Sequence, residues 1–349
     1  MAKTDLKSMT LEEMQDFFAT IGEPKFRAKQ VFQWLHDKRV KSFDEMTNLS
    51  KQLREKLSQE TKISNLKIVD KLQSQKDGTT KYLFALDNDN VIESVLMRYS
   101  YGNAVCVSSQ AGCRMGCAFC ASTLNGLEYN LLAGEILSQI YMIQEDIGER
   151  ISSVVLMGSG EPLDNYDNVL KFIKILNSEN GISIGQRHIT LSTCGLADGI
   201  DRLKEEDLQI TLAVSLHAPN DEIRNKIMPV SKKYNMDRLL TACKNYSDHT
   251  KRRITFEYAM MRGVNDSREA ALELASRLKK MLCHVNLIPV NYVSERGLLP
   301  SDRHTVDAFC KRLCLKNINT TVRRTLGGEI NASCGQLRHK KEEEKGNGL

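Results

Sequence analysis

The sequence predicts an α/β protein: a partial (β/α)6 barrel preceded by a small N-terminal helical domain. Three observations predict it. The first sixty or so residues carry helical spacing, a period-two stretch follows from Thr79 to Gln110, and beyond it short apolar strands alternate with helices.

In the first stretch, Thr10 and Glu13 make a capping box, and Leu11, Met14, Phe17 and Phe18 follow at helical spacing. Pro24 breaks the pattern. A second helix carries Val31, Phe32, Trp34 and Leu35, and a third begins near Ser50 with Leu53 and Leu57 inward. Around them Lys25, Arg27, Lys29, Lys38, Arg39 and Lys41 outnumber the nearby acids. Such a run reads either as a solvated face or as a patch that contacts phosphates.

In the second stretch, Thr79–Phe84 and Val91–Met97 alternate like the strands of a hairpin, with Asp87-Asn88-Asp89-Asn90 as the turn. The third stretch offers strands at Ala104–Ser109, Ser153–Met157, His188–Ser192, Ile210–Leu216, Arg253–Tyr258 and His284–Ile288. Helices are expected at Leu132–Ile147, Asn168–Leu176, Met236–Tyr246 and Glu269–Met281. Strands alternating with helices mean parallel pairing, and six units fall short of a closed eight-unit barrel. Asn317–Arg324 reads as a further edge strand, and Lys340–Leu349 as a charged tail. The expected division is 1–62 helical, 63–98 a β-hairpin linker, 99–333 the barrel core, and 334–349 a terminal loop and tail.

Composition narrows the class. Of 349 residues, 41% are hydrophobic and 27% charged, as in an ordinary globular chain. No run approaches the ~18 apolar residues of a membrane helix, and Met-Ala-Lys-Thr-Asp-Leu lacks the apolar core of a signal peptide. A cytoplasmic protein is expected, so ten cysteines point to ligands, catalysis or free thiols rather than to disulfide staples. The net charge of +5 permits nucleic-acid binding without requiring it.

Parallel α/β folds collect their chemistry at the C-terminal ends of strands. Cys113-Arg-Met-Gly-Cys117-Ala-Phe-Cys120 follows the first strand there. Three thiolates leave one iron of a [4Fe–4S] cube open to a chelating substrate, whereas four would close it. Zinc is the alternative, but structural zinc wants a fourth ligand, and the neighbouring candidates are Cys106 on a strand and distant histidines. With this spacing the chain resembles the radical S-adenosylmethionine (SAM) superfamily. Gly158-Ser-Gly160-Glu161-Pro162, one unit later, resembles the superfamily's glycine-rich turn; its bare backbone carbonyls and the Glu161 carboxylate suit the SAM ammonium, although alone it would be an ordinary tight turn.

Cys243, Cys283, Cys310 and Cys314 read as small buried hydrophobes. Cys334 differs, because Asn331-Ala-Ser-Cys334-Gly-Gln-Leu is a polar loop of small residues in which a thiol is accessible. Together with Cys106-Val-Ser-Ser-Gln, Cys120-Ala-Ser-Thr, Gly160-Glu-Pro-Leu, Leu191-Ser-Thr, Ser215-Leu-His-Ala-Pro-Asn and Val285-Asn-Leu-Ile-Pro-Val-Asn291, it makes nearly the whole chain resemble the RlmN-type adenine-C2 methyltransferases of 23S ribosomal RNA and certain tRNAs.

The resemblance implies one [4Fe–4S] cluster on Cys113, Cys117 and Cys120, and two SAM molecules per turnover. One SAM would methylate Cys334, and the second would give the radical that takes hydrogen from the S-methyl group. The methylene would add to C2 of adenine. Cys106 would resolve the crosslink through a transient disulfide with Cys334, and Glu93 would accept the C2 proton; without the resemblance, Glu93 is a solvent-facing strand residue. Gly160, Glu161, Ser192, Ser215, Leu216, His217 and Asn291 match the family's SAM contacts, although a strand-end serine is usually a cap and a lone histidine usually a core residue. Ser159, Cys194, Asn331 and Ser333 depart from the commoner pattern, and Cys194 adds a thiol near the SAM site.

The implied partners are 23S rRNA, tRNA and an electron donor such as flavodoxin or ferredoxin, with no membrane, for a chain expected to be a monomer. The basic helical N-terminus, Arg323-Arg324 and the Arg338–Lys341 run are the candidate phosphate contacts. Aromatic content of 6% argues against broad stacking surfaces. The rival is the Cfr-like branch, which methylates C8 of the same adenine.

Overall fold

A computed structural model describes residues 3–336 of the chain; the Arg338–Lys341 run and the expected tail at 340–349 lie outside them. The N-terminal helices are α1 (Leu11–Thr20), α2 (Lys25–His36) and α3 (Lys51–Glu60). Thr10 caps α1 in a full capping box with Glu13, and Ser50 Oγ accepts from Leu53 N to start α3. Leu6, Met14, Phe18, Phe32, Leu35, Leu53 and Leu57 turn inward, each worth roughly 1.5–3 kcal/mol of burial.

One mixed sheet carries the rest. Its strands are β1 (Lys67–Gln73), β2 (Thr80–Ala85), β3 (Val91–Tyr99), β4 (Gly102–Cys106), β5 (Ile151–Leu156), β6 (Ile189–Thr193), β7 (Thr211–Ser215), β8 (Ile254–Met260), β9 (Cys283–Pro289) and β10 (Thr320–Val322). They lie side by side in chain order, β1 at one edge and β10 at the other. From β4 to β10 every pair is parallel, and β1 to β4 are antiparallel. The expected hairpin turn is present at Asp87–Asp89, with Leu86 N donating to Asn90 O.

Two expectations change. The stretch before the barrel is a three-stranded extension of the barrel sheet rather than a hairpin linker, because β1 pairs along β2. Helices α6 (Ala197–Lys204), α7 (Asp221–Ile227) and α10 (Arg303–Leu315) add to those expected, which appear as α4 (Ala133–Ile147), α5 (Tyr166–Asn177), α8 (Met236–Thr250) and α9 (Arg268–Leu278).

Helix α4 is buried along most of its length because the sheet covers one side and the N-terminal segment the other. Gly134 N donates to Ser8 Oγ, and a Cβ there would collide with Ser64, Asp5 and Ser8. Lys7 Nζ crosses to Ser64 O, Asn65 Oδ1 and Ser138 Oγ at 2.6, 3.1 and 3.2 Å. The desolvation of that ammonium lowers its pKa to about 8. Among the described residues, no helix is long and apolar enough to cross a membrane.

Candidate active site

The C-terminal ends of β5 to β9 enclose a cavity of about 160 Å³. Cys113, Cys117 and Cys120 line one wall, and Gly158, Gly160, Glu161, Ser192, Ser215, His217 and Asn291 line the others. Seven of the eight predicted residues at strand ends and turns therefore meet in one space, counting Cys334, which also lines it. Leu216 is the exception. Its side chain is in the core, its amide donates to Glu257 O, and its carbonyl accepts from Arg224.

The cysteine loop is held by its backbone. Cys113 N donates to Gly126 O, Ala118 N to Ile227 O, and Arg296 Nη2 to Thr123 Oγ1 and Cys120 O. Gly112 turns at φ +70°, and any Cβ there would run into Gly126 O. Burial pushes all three thiols up, Cys113 to about 12. Such thiols ionise only beside strong positive charge, which a cluster's irons provide. Among the described residues no three His, Cys, Asp or Glu groups are placed to hold one metal ion. The donor set, three thiols facing one open cavity, fits a cluster with a substrate-accessible iron.

The glycine-rich turn has a different reason from the one its sequence suggests. A Cβ on Gly158 would strike Val107 O, and one on Gly160 would strike Gln110 Cβ and N. The glycines are therefore needed to pack the turn against residues 107–110. Glu161 is buried, and its two oxygens accept from Leu163 N at 3.0 Å and Cys194 N at 2.6 Å. Its carboxylate ties the ends of β5 and β6 together while facing the cavity.

The segment after Cys106 explains its own motif. Ser108 Oγ donates to Glu93 O at 2.6 Å and accepts from Ser159 N at 2.9 Å. Gln110 Oε1 accepts from Glu161 N at 2.8 Å. Gln139 of α4 reads both groups of the Ser108 peptide, at 2.9 Å each. One hydroxyl thus joins the strand of Glu93 to the glycine-rich turn.

His217 has φ +57°, a strained conformation for a residue with a Cβ. Its Nδ1 accepts from Ala259 N at 2.9 Å, Asn265 Nδ2 holds its carbonyl at 2.7 Å, and Phe119 meets the ring edge-to-face. Burial pushes its pKa down to about 3, so it is a neutral acceptor. Cys194 lies in the same cavity, as expected from its place after β6.

A smaller cavity of about 40 Å³ adjoins the first. Cys106, Cys334, Met157, Asn291 and Arg323 line it, and Cys334, Met157, Asn291 and Arg323 are shared with the larger one. Cys334 is partly exposed and Cys106 buried, with burial pushing the Cys106 thiol up to about 12. Asn291 Nδ2 donates to Cys334 O at 2.9 Å. Glu93 lines neither cavity. It is buried on the face of β3 that carries Val95 and Met97, which pack with Cys106 and Ala332, and Lys81 of β2 pairs with it at 3.2 Å. A solvent-facing role for Glu93 is thereby excluded.

Three readings are corrected. Arg323 is no surface phosphate contact, because its guanidinium points between the cavities towards Met157 Sδ and feels Cys334, Glu257 and Cys106. Cys314 is exposed and Cys310 half-buried, whereas Cys243 and Cys283 are buried as expected. Arg224 was missed. Fully buried, it donates to Cys194 O, Ser215 O and Leu216 O, knitting two strand-end loops; its place in an ordinary polar helix start gave no sign of this.

Comparison with known proteins agrees with this geometry. Residues 4–63 match the ribosomal RNA large subunit methyltransferase N-terminal domain, and residues 107–275 the radical SAM superfamily. A chain of Alkaliphilus oremlandii named as a dual-specificity RNA methyltransferase RlmN is 56% identical over 97% of this chain and 99% of its own. The protein belongs to the RlmN family of radical SAM RNA methyltransferases. An RlmN-named chain of Clostridium novyi is 53% identical over 96% of this chain and 97% of its own. The crystal structure of a radical SAM methyltransferase from Sphaerobacter thermophilus, 40% identical, superposes with a TM-score of 0.90 over 96% of this chain and 99% of that one. Membership in this family brings SAM and a [4Fe–4S] cluster as the working groups.

Proposed function

We propose that this RlmN-family enzyme methylates C2 of an adenine in 23S rRNA and in certain tRNAs, with Cys334 as the methyl carrier. The observation that carries the reading is that Cys334 belongs to both cavities: it faces the wall of cluster thiols on one side and Cys106 on the other. A thiol that receives a methyl group in one chamber and releases it in the next needs such a position.

C2 of adenine is an electron-poor carbon that does not displace the methyl of SAM by itself, which is why a carrier and a radical are needed. Cys113, Cys117 and Cys120 would hold the cluster, with Gly160, Glu161, Ser192, Ser215, His217 and Asn291 around SAM. Bound there, cluster and SAM together supply a 5′-deoxyadenosyl radical that takes one hydrogen atom from an S-methyl group.

The chain's residues do the rest. Cys334 loses its thiol proton and its sulfur attacks the methyl carbon of a first SAM, so that the new S–CH3 bond forms as S-adenosylhomocysteine leaves. After hydrogen removal its methylene carbon would bond to C2, and the adduct would give up one electron to the cluster that Cys113, Cys117 and Cys120 would hold, left oxidised when SAM was cleaved. Glu93, on the same face of β3 as Val95 and Met97 of the smaller cavity, would accept the C2 proton once the bound base reaches past them. Cys106, as thiolate, attacks the Cys334 sulfur; the S–S bond forms as the S–CH2 bond breaks, and the released carbon takes a proton to become methyl. A dithiol reductant then reopens the disulfide, and a flavodoxin- or ferredoxin-like donor supplies the cluster's electrons. Arg323 lines both cavities with Cys334 and sets a permanent cation against the burial that pushes the Cys106 thiol up.

The N-terminal unit, residues 1–62, is assigned to RNA docking; its match to a ribosomal RNA methyltransferase domain supports this. The RlmN names of the relatives favour C2 over the C8 of the Cfr-like branch.

Reconstituted protein incubated with rRNA fragments and labelled SAM should yield 2-methyladenosine by mass spectrometry of the nucleosides. Recovery of 8-methyladenosine would overturn the regiochemistry. Cys334→Ala should abolish RNA methylation while reductive SAM cleavage persists, and any methylated RNA from that variant rules out the carrier.

A further inference from the structure

A base for the C2 proton must carry its charge before the adduct forms, yet Glu93 is only 5% exposed. A carboxylate taken out of water keeps its charge only where a cation or hydrogen bonds replace its hydration. Lys81 supplies a cation. Its Nζ lies 3.2 Å from Glu93 Oε1, with the two side chains 11% and 6% exposed, whereas a surface pair such as Lys41–Glu145 is 56% and 60% exposed.

Register sets this pair beside the smaller cavity. Lys81 of β2 lies opposite Val95 of β3, and Leu83 opposite Glu93, so Lys81 and Glu93 meet diagonally on one face. Val95 follows Glu93 by two residues and shares that face, and Thr79 immediately precedes β2. Thr79 and Val95 line the smaller cavity with Cys106 and Cys334. Cys106 in turn lies opposite Val95, and β3 runs antiparallel to β4. The step from Val95 to Glu93 therefore follows the direction from Cys106 to Ser108, towards the strand ends that hold both cavities, and Ser108 Oγ donates to Glu93 O there.

The fold itself does not call for the pair. Val95, Met97, Ala104 and Ala332 make this face apolar. Two well-packed apolar side chains in place of a buried ion pair are often neutral or stabilising. Charge at this place is explained by the chemistry beside it.

We propose that Lys81 is a positioning residue for the C2 base: its ammonium keeps the Glu93 carboxylate ionised and fixes it on the face that leads to the smaller cavity. The proposal rests on Glu93 being that base. In the step itself the C2–H bond breaks, its electron pair returns to the ring, and the proton passes to a Glu93 oxygen. Lys81 stays an ammonium throughout. The proton leaves for water when the product does, and the pair is restored.

The test uses reconstituted enzyme and an RNA fragment whose target adenine carries deuterium at C2. Three quantities are read: methylation of Cys334 by intact-protein mass spectrometry, covalent protein–RNA adduct on a denaturing gel, and deuterium in the adduct after nuclease digestion. A general base contributes roughly 10²–10⁴-fold, so Lys81→Met should keep Cys334 methylation but clear the adduct roughly a hundredfold more slowly, with its deuterium retained. Lys81→Arg, which keeps the cation, should recover most of that loss. A Lys81→Met enzyme that clears the adduct at the parent rate overturns the proposal. So does one that loses Cys334 methylation and product in equal measure, since Lys81 then only supports the fold. A Lys81→Arg enzyme as slow as Lys81→Met overturns it as well. Glu93→Gln separates the two readings. If it alone traps deuterated adduct, the base stands and Lys81 has no part in it; if it releases deuterium at the parent rate, the base reading itself fails.

Discussion

The two sides of the site are built to opposite specifications. On the cluster side, the cysteine loop, the glycine-rich turn and the ends of β6 and β7 are tied by a dense set of bonds to backbone atoms: Ser108 to Glu93 and Ser159, Gln110 and Glu161 to three amides, Arg224 to three carbonyls. On the side of the proposed carrier, the Cys334 loop is tied to the barrel by fewer and more scattered bonds, including Gln336 Nε2 to Tyr292 O and Ser74 to Glu329. Asn291 holds the Cys334 carbonyl, Ala121 N donates to Gly335 O, and Gly327 N reaches Asp77. A cluster and a bound cofactor need fixed ligands and fixed hydrogen-bond partners. A carrier thiol must turn from one cavity to the next, and a loop with few anchors permits that.

The largest effect expected from this contrast is chemical. Among the described residues, Cys106 is the only cysteine besides Cys334 that lines the smaller cavity. Cys106→Ala should leave methyl transfer to Cys334 and attack on RNA intact but stop resolution. A covalent protein–RNA adduct should then accumulate, visible as a shifted band on a denaturing gel that ribonuclease collapses. Turnover at the parent rate with no adduct would show that Cys106 is no resolving thiol.

Next in size is a structural effect on the rigid side. Arg224→Met keeps most of the volume but removes the donors to Cys194 O, Ser215 O and Leu216 O. Each buried carbonyl left without a donor costs about 1–3 kcal/mol, so unfolding free energy should fall by on the order of 3 kcal/mol in denaturant titration. Iron content per chain should fall as well, because Ala118 of the cysteine loop bonds to Ile227 on the same helix. A loss below 1 kcal/mol would mean the dense network is not what stiffens that side.

The sequence told these two sides apart unevenly. The cysteine spacing and the place of each polar cluster after a strand were legible, because both follow from local pattern. Strand β1 was not: it is exposed along its whole length, so no alternation marks it. Glu93 is buried only because β2 lays Lys81 across its face, a cross-strand contact that depends on register. Arg323 and Arg324 are neighbours in sequence with opposite fates, one turned into the barrel and one to solvent, and pattern alone treated them as a pair. Gly158 and Gly160 were recognised correctly as a turn. Their steric reason, close packing on Val107 and Gln110, needed the fold.

The smallest effect tests the loose side at its best anchor. Asn291→Ala removes one neutral hydrogen bond, Nδ2 to the Cys334 carbonyl at 2.9 Å, worth about 1 kcal/mol in net terms. If that bond presents the thiol to SAM, methylation of Cys334 itself, followed by intact-protein mass spectrometry, should slow about fivefold. Cluster content should be unchanged, since no cysteine ligand bonds to Asn291. An effect of a hundredfold or more would instead place Asn291 mainly on the cofactor, which its position in the larger cavity also allows. Measuring the SAM dependence of the rate separates the two: a displaced carrier lowers the limiting rate, whereas a lost cofactor contact raises the SAM concentration needed to reach it. The carrier loop would then keep only its bonds through Gly327, Glu329, Gly335 and Gln336 among the described residues, and its hold on Cys334 itself would be weaker than the intact network suggests.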